Sequence, residues 1–301
     1  MERVVVLGAE EEPEHGVALA LLRDGGFHVR VAALDPGSPR AQELGRAGAQ
    51  VLPFHLNGTA GIEGALSGAH KCFFTTRTHF NDPDPLQREI SQGYLIADGC
   101  KQHGISHVVF EGGQHVQRRF GFPMRSMDAK ACVGDYMAEI GLAKTQLLIP
   151  FLYESFLTVF PPRPAGPNLY KIDIPMGDTP MDGISLRDVG PVVTSILKNS
   201  HKWMGRSCFL SADRLMVKDY AETLTKYLAP RIFQDARISL KMFVESYKGE
   251  GGQDIGNMFE FWRKDTQRRN VAEMFALSSD MQRFSHWVSA NRESIISSLQ
   301  K

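Results

Sequence analysis

Arg3-Val-Val-Val-Leu7, Gly8-Ala-Glu-Glu-Glu-Pro-Glu-His15-Gly16, Val17-Ala-Leu-Ala-Leu-Leu22 and Phe27-His-Val-Arg-Val-Ala-Ala33 lie in succession near the start of the chain. The first is an apolar run of strand length. The third is a helical stretch closed by Asp24-Gly25-Gly26, and the last is a second strand. Strand, turn, helix and strand within about thirty residues make the opening of a dinucleotide-binding α/β domain. The turn of such a unit is ordinarily rich in glycine, so that backbone N–H groups can approach a pyrophosphate at the helix N-terminus. Here Gly8 is followed by Glu10, Glu11, Glu12 and Glu14, which puts carboxylates where phosphates would have to lie. Each carboxylate near a phosphate costs roughly 1 kcal/mol at a partly exposed site. With the glycine donors gone as well, the loss reaches about 4 kcal/mol, or about a thousandfold in affinity. Pro13 deletes a further N–H. The same acids complement the positive end of the helix dipole, so the fold tolerates them while the nucleotide is disfavoured.

Outward from this stretch, strands and helices alternate. Asp35-Pro-Gly-Ser-Pro39 is a turn whose Ser38 caps a helix from Arg40 to Arg46. Strands are expected at Gly48–Pro53, Lys71–Thr76, Ser106–Phe110 and Thr145–Ile149. Helices are expected at Thr59–Leu66, Pro85–His103 and Met127–Ile140. This spacing predicts right-handed βαβ units and hence an α/β fold with a doubly wound parallel sheet, Rossmann-like, over residues 1–150. Past Pro150 the rhythm changes. Pro161-Pro-Arg-Pro-Ala-Gly-Pro167 reads as a crossing that is neither helix nor strand. Lys171–Pro175 reads as a short strand, and Ser185-Leu-Arg-Asp188 as a capping box opening a helix to Lys198. Helices at Asp219–Tyr227, Ile255–Arg263 and Ser279–Ser298 make residues 151–301 a smaller helix-rich lobe.

With 34 basic against 34 acidic residues, no global basic face points to nucleic acid. Cys72, Cys100, Cys132 and Cys208 lack a C-x-x-C spacing and read as reduced thiols. The chain enters a strand directly and has no run of 18 apolar residues, so neither a signal peptide nor a membrane span is expected. His103 and His107 have an i, i+4 spacing, but Gly104 ends the helix between them, so no metal site is expected. No Gly-x-Ser-x-Gly elbow is present. Arg118-Arg-Phe-Gly-Phe-Pro-Met-Arg125 reads as a solvated loop anchored in the core by Phe120 or Phe122, with a partner or anion site as the alternative. Met258–Phe261 reads as core.

Pro175-Met-Gly-Asp-Thr-Pro-Met-Asp-Gly-Ile-Ser-Leu-Arg-Asp-Val-Gly-Pro-Val-Val193 resembles the corresponding stretch of NmrA-like proteins, as do Asn257-Met-Phe-Glu-Phe-Trp262 and Ile149-Pro-Phe-Leu-Tyr-Glu154. These proteins are atypical short-chain dehydrogenase relatives that act as redox sensors and regulators. The resemblance implies NADP as the family cofactor, with partners or oligomeric state following the NADPH level. It keeps Gly8, Thr76 and Lys130 as candidate cofactor-binding positions, but the family's later glycines fall on Glu11 and Glu14. The arginine that would meet the 2′-phosphate falls on Leu34, and the acidic residue after the third strand falls on His55. Asp35, next to Leu34, would repel that phosphate; it serves either a ribose hydroxyl or only a turn. Phe54, His55 and Arg77 are side chains able to fill the adenine or nicotinamide pocket. In the Tyr-x-x-x-Lys pair of short-chain dehydrogenases, Lys130 keeps the lysine place while the tyrosine place is Ser126, whose hydroxyl is too weak an acid. Tyr136 lies on the wrong side of the lysine and Tyr153 on another segment. No catalytic residue is therefore expected. The sequence reads as a non-catalytic, cytoplasmic or also nuclear regulator acting through protein partners, with a homodimer allowed and no cofactor held tightly. Its rivals are an NADP(H)-binding redox sensor and an NADPH-dependent reductase.

Overall fold

The computed structural model describes residues 1–56, 58, 60–265 and 271–300. Six strands run β1 (Arg3–Leu7), β2 (His28–Ala33), β3 (Gln50–Pro53), β4 (Lys71–Phe74), β5 (His107–Glu111) and β6 (Lys144–Leu148). They are threaded by α1 (Glu14–Asp24), α2 (Pro39–Arg46), α3 (Ala60–Leu66), α4 (Pro85–Gln102), α5 (Val116–Phe120) and α6 (Arg125–Glu139). All six strands pair in parallel in the order β3-β2-β1-β4-β5-β6, and Arg206–Phe209 adds a seventh strand beside β6. This is the doubly wound order, with its switch point between β1 and β4. Val4 to Leu7 and Cys72 to Phe74 are buried, as strands covered on both faces must be, which is why they read as unbroken apolar runs.

Element ends follow local chemistry. Ser38 caps α2 by accepting from Ala41 N–H at 3.3 Å, with Pro39 already inside the helix. Asp84 does the same for α4 through Gln87 N–H at 3.1 Å. β3 starts at Gln50 and not at Gly48, because Gly48 turns through φ +107°. β4 stops at Phe74, and Thr75 and Thr76 turn their hydroxyls to carboxylates. The third helix occupies Ala60–Leu66; Thr59, its expected first residue, lies outside the described residues. The Arg118–Arg125 segment departs from the expected loop, since Val116–Phe120 is helical. Its anchors also differ: Phe120 and Phe122 stay half-buried, and Val116 and Met124 are the buried side chains.

The first compact unit comprises 1–121, 125–148 and 189–208, so the chain returns to it after leaving β6. His107 pins that return. The Thr145 hydroxyl donates to the Trp203 carbonyl at 2.7 Å, which leaves its oxygen to accept from the His107 Nε2–H at 2.8 Å. Nδ1 lies 2.8 Å from the Ser200 hydroxyl, whose single proton is shared between that nitrogen and the Leu197 carbonyl, also at 2.8 Å. Burial, with Lys71 adding to it, lowers the imidazole to about 4 and keeps it neutral. His107 is thus a core histidine. Among the described residues no group of three or more His, Cys, Asp or Glu is placed to hold a metal, and no helix is long and apolar enough to cross a membrane. None of the four cysteines forms a disulfide.

The second unit comprises 122–124, 149–188 and 209–301. It is rich in helices, and Tyr153, Phe156, Tyr220, Phe284 and Trp287 stack at its centre with Phe259 in the same cluster. Met258–Phe261 is core, with Phe259 and Phe261 buried. Two small sheets are present, one of Asp213–Leu215, Met181–Ile184 and Phe151–Leu152, the other of Ile232–Asp235, Leu169–Ile172 and Arg163–Gly166; only the strand expected at Lys171–Pro175 was foreseen, and it lies at Leu169–Ile172. The proline-rich crossing therefore contains a strand; Arg163–Gly166 lies at a sheet edge, where a missing N–H is tolerated. The expected helix over Ser279–Ser298 is two, Phe284–Ala290 and Arg292–Ser298, with Asn291 between them.

The expected capping box is a further correction. The helix begins at Leu186, and the Ser185 hydroxyl donates to Glu154 Oε1 at 2.8 Å while accepting only a 3.3 Å contact from Arg187 N–H. The Asp188 carboxylate accepts from Gln282 N–H at 2.8 Å, 94 residues away, and not from the start of its own helix. Burial pushes the Asp188 carboxyl up to about 6 against the pull of that N–H.

His107 and Asp188 give stability opposite pH slopes. A histidine lowered to about 4 contributes stability above its ordinary value that is lost as pH falls below 6.5. A carboxyl raised to about 6 contributes stability at pH 4 that is lost as pH rises towards 6. Each shift is worth roughly 3 kcal/mol at full extent. Denaturant midpoints from pH 4 to 7 should therefore fall with rising pH in His107→Gln and climb in Asp188→Asn, relative to wild type. Two variants running parallel to wild type would refute both assignments.

Candidate dinucleotide cleft

Ligands of doubly wound sheets bind beyond the carboxyl ends of the strands at the switch point. Here that place receives Gly8 after β1, Thr75 to Arg77 after β4, Glu111 at the end of β5, Glu89 from α4 and Lys130 from α6. Gly8 takes φ +77°, which only glycine adopts without strain. A Cβ at Gly8 would come within 3.8 Å of Glu14 Oε1 and 3.9 Å of Arg77 Nη1. The space over the loop's one retained glycine is thus held by an internal carboxylate and guanidinium.

Glu14 is fully buried. It accepts a short hydrogen bond from the Thr75 hydroxyl and two from Arg77, Nη1 at 3.0 Å and Nη2 at 2.7 Å. The paired fork is the geometry that guanidinium uses for carboxylate or phosphate. Arg77 also reaches Glu11 Oε2 with Nε at 2.6 Å and the Glu12 carbonyl with Nη2 at 3.1 Å. Burial raises the Glu14 carboxyl above the usual range although Arg77 and Thr75 pull it down. For Arg77, burial opposes the charge but the Glu14 contacts outweigh it and hold the guanidinium above its ordinary value.

The other acids are likewise engaged. Glu10 Oε1 accepts from Asp35 N–H at 2.7 Å, and Glu12 takes Gly16 N–H at 3.1 Å and Arg40 Nη2 at 3.2 Å. The N–H groups of Gly8, Ala9, Glu11, His15 and Gly16 all donate within the chain, leaving the loop short of donors for a phosphate. Leu34, expected at the place of a 2′-phosphate arginine, is 57% exposed, and Asp35 turns its carboxylate back to Gly37 N–H at 2.9 Å, as a turn residue does.

Thr76 and Lys130 are brought together by a residue the sequence reading passed over. The Thr76 hydroxyl and Lys130 Nζ both donate to Glu89 Oε1 at 2.7 Å, and the Thr78 hydroxyl makes a short bond to Glu89 Oε2. Burial opposes the Lys130 charge, but Glu111 and Glu89 outweigh burial and hold the ammonium above its ordinary value. Glu111 is itself raised, by burial first. Glu89 was visible in principle. It stands in the buried stripe Glu89, Gly93, Ile96, Ala97 and Cys100 of α4, a glutamate at an apolar position of helical spacing. Of the other side chains considered as pocket fillers, Phe54 is core and His55 is exposed, so Arg77 alone lies over the loop.

The model of the NmrA-like family matches residues 1–286. The chain belongs to the NmrA-like family. Among curated relatives, the NmrA-like family domain-containing oxidoreductase himF of Aspergillus japonicus is 26% identical over 74% of this chain and 72% of its own length. Among solved structures, NmrA, a negative transcriptional regulator, superimposes with TM-score 0.80 at 17% identity, covering 96% of this chain and 94% of that one. NmrA in complex with NADP superimposes at 0.76 and 18% identity over the same shares. The NmrA fold is thereby shared from end to end, and NADP is a ligand of that neighbour.

The Glu14–Arg77 pair should be one-sidedly sensitive. Arg77→Met leaves a buried carboxylate without its cation and should destabilise the protein by about 3 kcal/mol. With Arg77 gone, Glu14 titrates still higher, so the loss should deepen as pH rises from about 5 to 8 and shrink at acid pH. Urea midpoints at both pH values check this; equal losses at both would show that Glu14 does not depend on Arg77.

Proposed function

We propose that this NmrA-like chain is a non-catalytic regulatory protein that works through protein partners and in which NADP binding is lost or greatly weakened. The observation that carries this reading is the Glu14 carboxylate paired with Arg77 over Gly8. A pyrophosphate would have to displace a buried carboxylate from a two-point guanidinium clamp. It would then meet Glu11 and Glu12 at close range. Support for the absence of catalysis comes from Lys130, whose Nζ is held by Glu89, and from Ser126 standing four residues before it. The likeness to a negative transcriptional regulator supports a regulatory role. The himF relative, described as an oxidoreductase, favours the rival reductase reading, which an NADPH-oxidation screen addresses.

The cofactor half is tested by restoring the loop. Wild-type protein should show no rise in melting temperature at millimolar NADPH, whereas a ligand at 100 times its dissociation constant adds about 2.7 kcal/mol. The variant carrying Glu11→Gly, Glu14→Gly, Leu34→Arg, Glu10→Gln and Glu12→Gln frees Arg77 for phosphate. It should bind NADPH in the micromolar range, recovering roughly 4 kcal/mol. A wild-type shift of several degrees, or a folded variant that still fails to bind, would each reject the loop as the cause.

A further inference from the structure

A second site lies at the opposite end of β1 from Gly8, and it is independent of the cleft. A cavity of about 270 Å³ opens there, lined by Arg3, Leu22, Phe27, His28, Arg30 and Gln50 together with Val29 and Gly48. Among the described residues no carboxylate lines it. Arg30 is buried on β2, where Nε donates to Gln50 Oε1 at 3.0 Å and Nη1 to the carbonyls of Ala65 at 2.8 Å and Ser67 at 2.6 Å. Those bonds leave Nη2 uncommitted. Arg3, at the start of β1, spends Nη1 on the Gly68 carbonyl at 2.9 Å and keeps Nε and Nη2. Among the described residues neither guanidinium forms an ion pair, and the neighbouring Glu2 pairs instead with Lys71 at 2.7 Å.

Two guanidiniums from adjacent strands thus face one cavity without a counter-ion, and one of them is buried. Burial lowers the Arg30 affinity for its proton, and the charge of Arg3 lowers it further, as expected of two cations held close. The partners of Arg30 are an amide oxygen and carbonyls, none of them an anion, and an anion accepting from both forks would balance the two charges. Leu22 belongs to the last turn of α1 and Ala65 to that of α3, and both dipoles oppose an anion, but each end carries only about half a charge and the two stand against two full ones. Phe27 and Leu22 add apolar wall beside the charges. The volume falls below the roughly 300 Å³ at which drug-sized pockets begin, so the occupant is small and is not a dinucleotide.

We propose that this cavity binds a small phosphomonoester, its phosphate held between Arg3 and Arg30 and its apolar body laid against Phe27. The test is isothermal titration of the full chain in phosphate- and sulfate-free buffer. Phenyl phosphate should bind with a dissociation constant of about 0.1 mM, inorganic phosphate about tenfold more weakly, and benzyl alcohol not measurably. Arg3→Gln should weaken phenyl phosphate by about tenfold or more, whereas Lys241→Gln, an exposed cation of the second unit, should leave it unchanged. Side-chain NMR of the wild type guards against a variant that fails to fold: the Nε–H signals of Arg3 and Arg30 should both shift with phenyl phosphate. Absence of saturable binding up to about 10 mM, or unmoved arginine signals, would overturn the proposal.

Discussion

The carboxylate of Glu14, buried at the mouth of the first βα turn and clamped by Arg77, is the interaction on which the cleft depends. Glutamate in such a place is unfavourable unless compensated, because its charge has left water. Arg77 compensates it from the end of β4, the strand next to β1 at the switch point. The pair therefore ties the two strands between which a dinucleotide would lie. Its chemistry is that of a phosphate bound by arginine, with the anion supplied by the chain itself. Glu11 extends the same ion pair outwards, and Glu12 and Glu10 fasten the loop to Arg40 and to the end of β2. The acids that would repel a ligand are thus structural members of the loop.

Deeper in the cleft, a second set follows the same logic. Glu89 gathers Thr76, Thr78 and Lys130, and Glu111 stands close enough to strengthen the lysine's charge. Thr76 and Lys130, which the sequence reading offered as cofactor positions, are turned on Glu89. A network whose members are mutually satisfied gains little by accepting a new partner, since each bond to a ligand replaces one already made.

Much of the fold was legible because its central strands are buried on both faces. Such strands announce themselves as apolar runs, and the alternation with helices marked the sheet as parallel and doubly wound; the strand order came from the structure. The excess of acid in the first turn was equally plain. What was hidden was its partner, since Arg77 lies 63 residues beyond Glu14 and no local pattern joins them. The same holds for Asp188, which looked like half of a capping box until Gln282, 94 residues on, took its carboxylate. Of the two small sheets of the second unit only the strand near Lys171 was read, because strands of two to four residues carry no periodicity. Glu89 is the instructive omission: its place in the apolar stripe of α4 was readable, and a buried glutamate implies a buried cation.

Whether Arg77 keeps Glu14 when a dinucleotide is offered decides the state of the cleft. A crystal structure of the wild-type protein grown in millimolar NADPH shows this directly. An empty cleft is expected, with the guanidinium still paired to Glu14 over Gly8. A dinucleotide bound along the first turn, with Arg77 swung from Glu14 onto its phosphates, would contradict it and make the pair a latch.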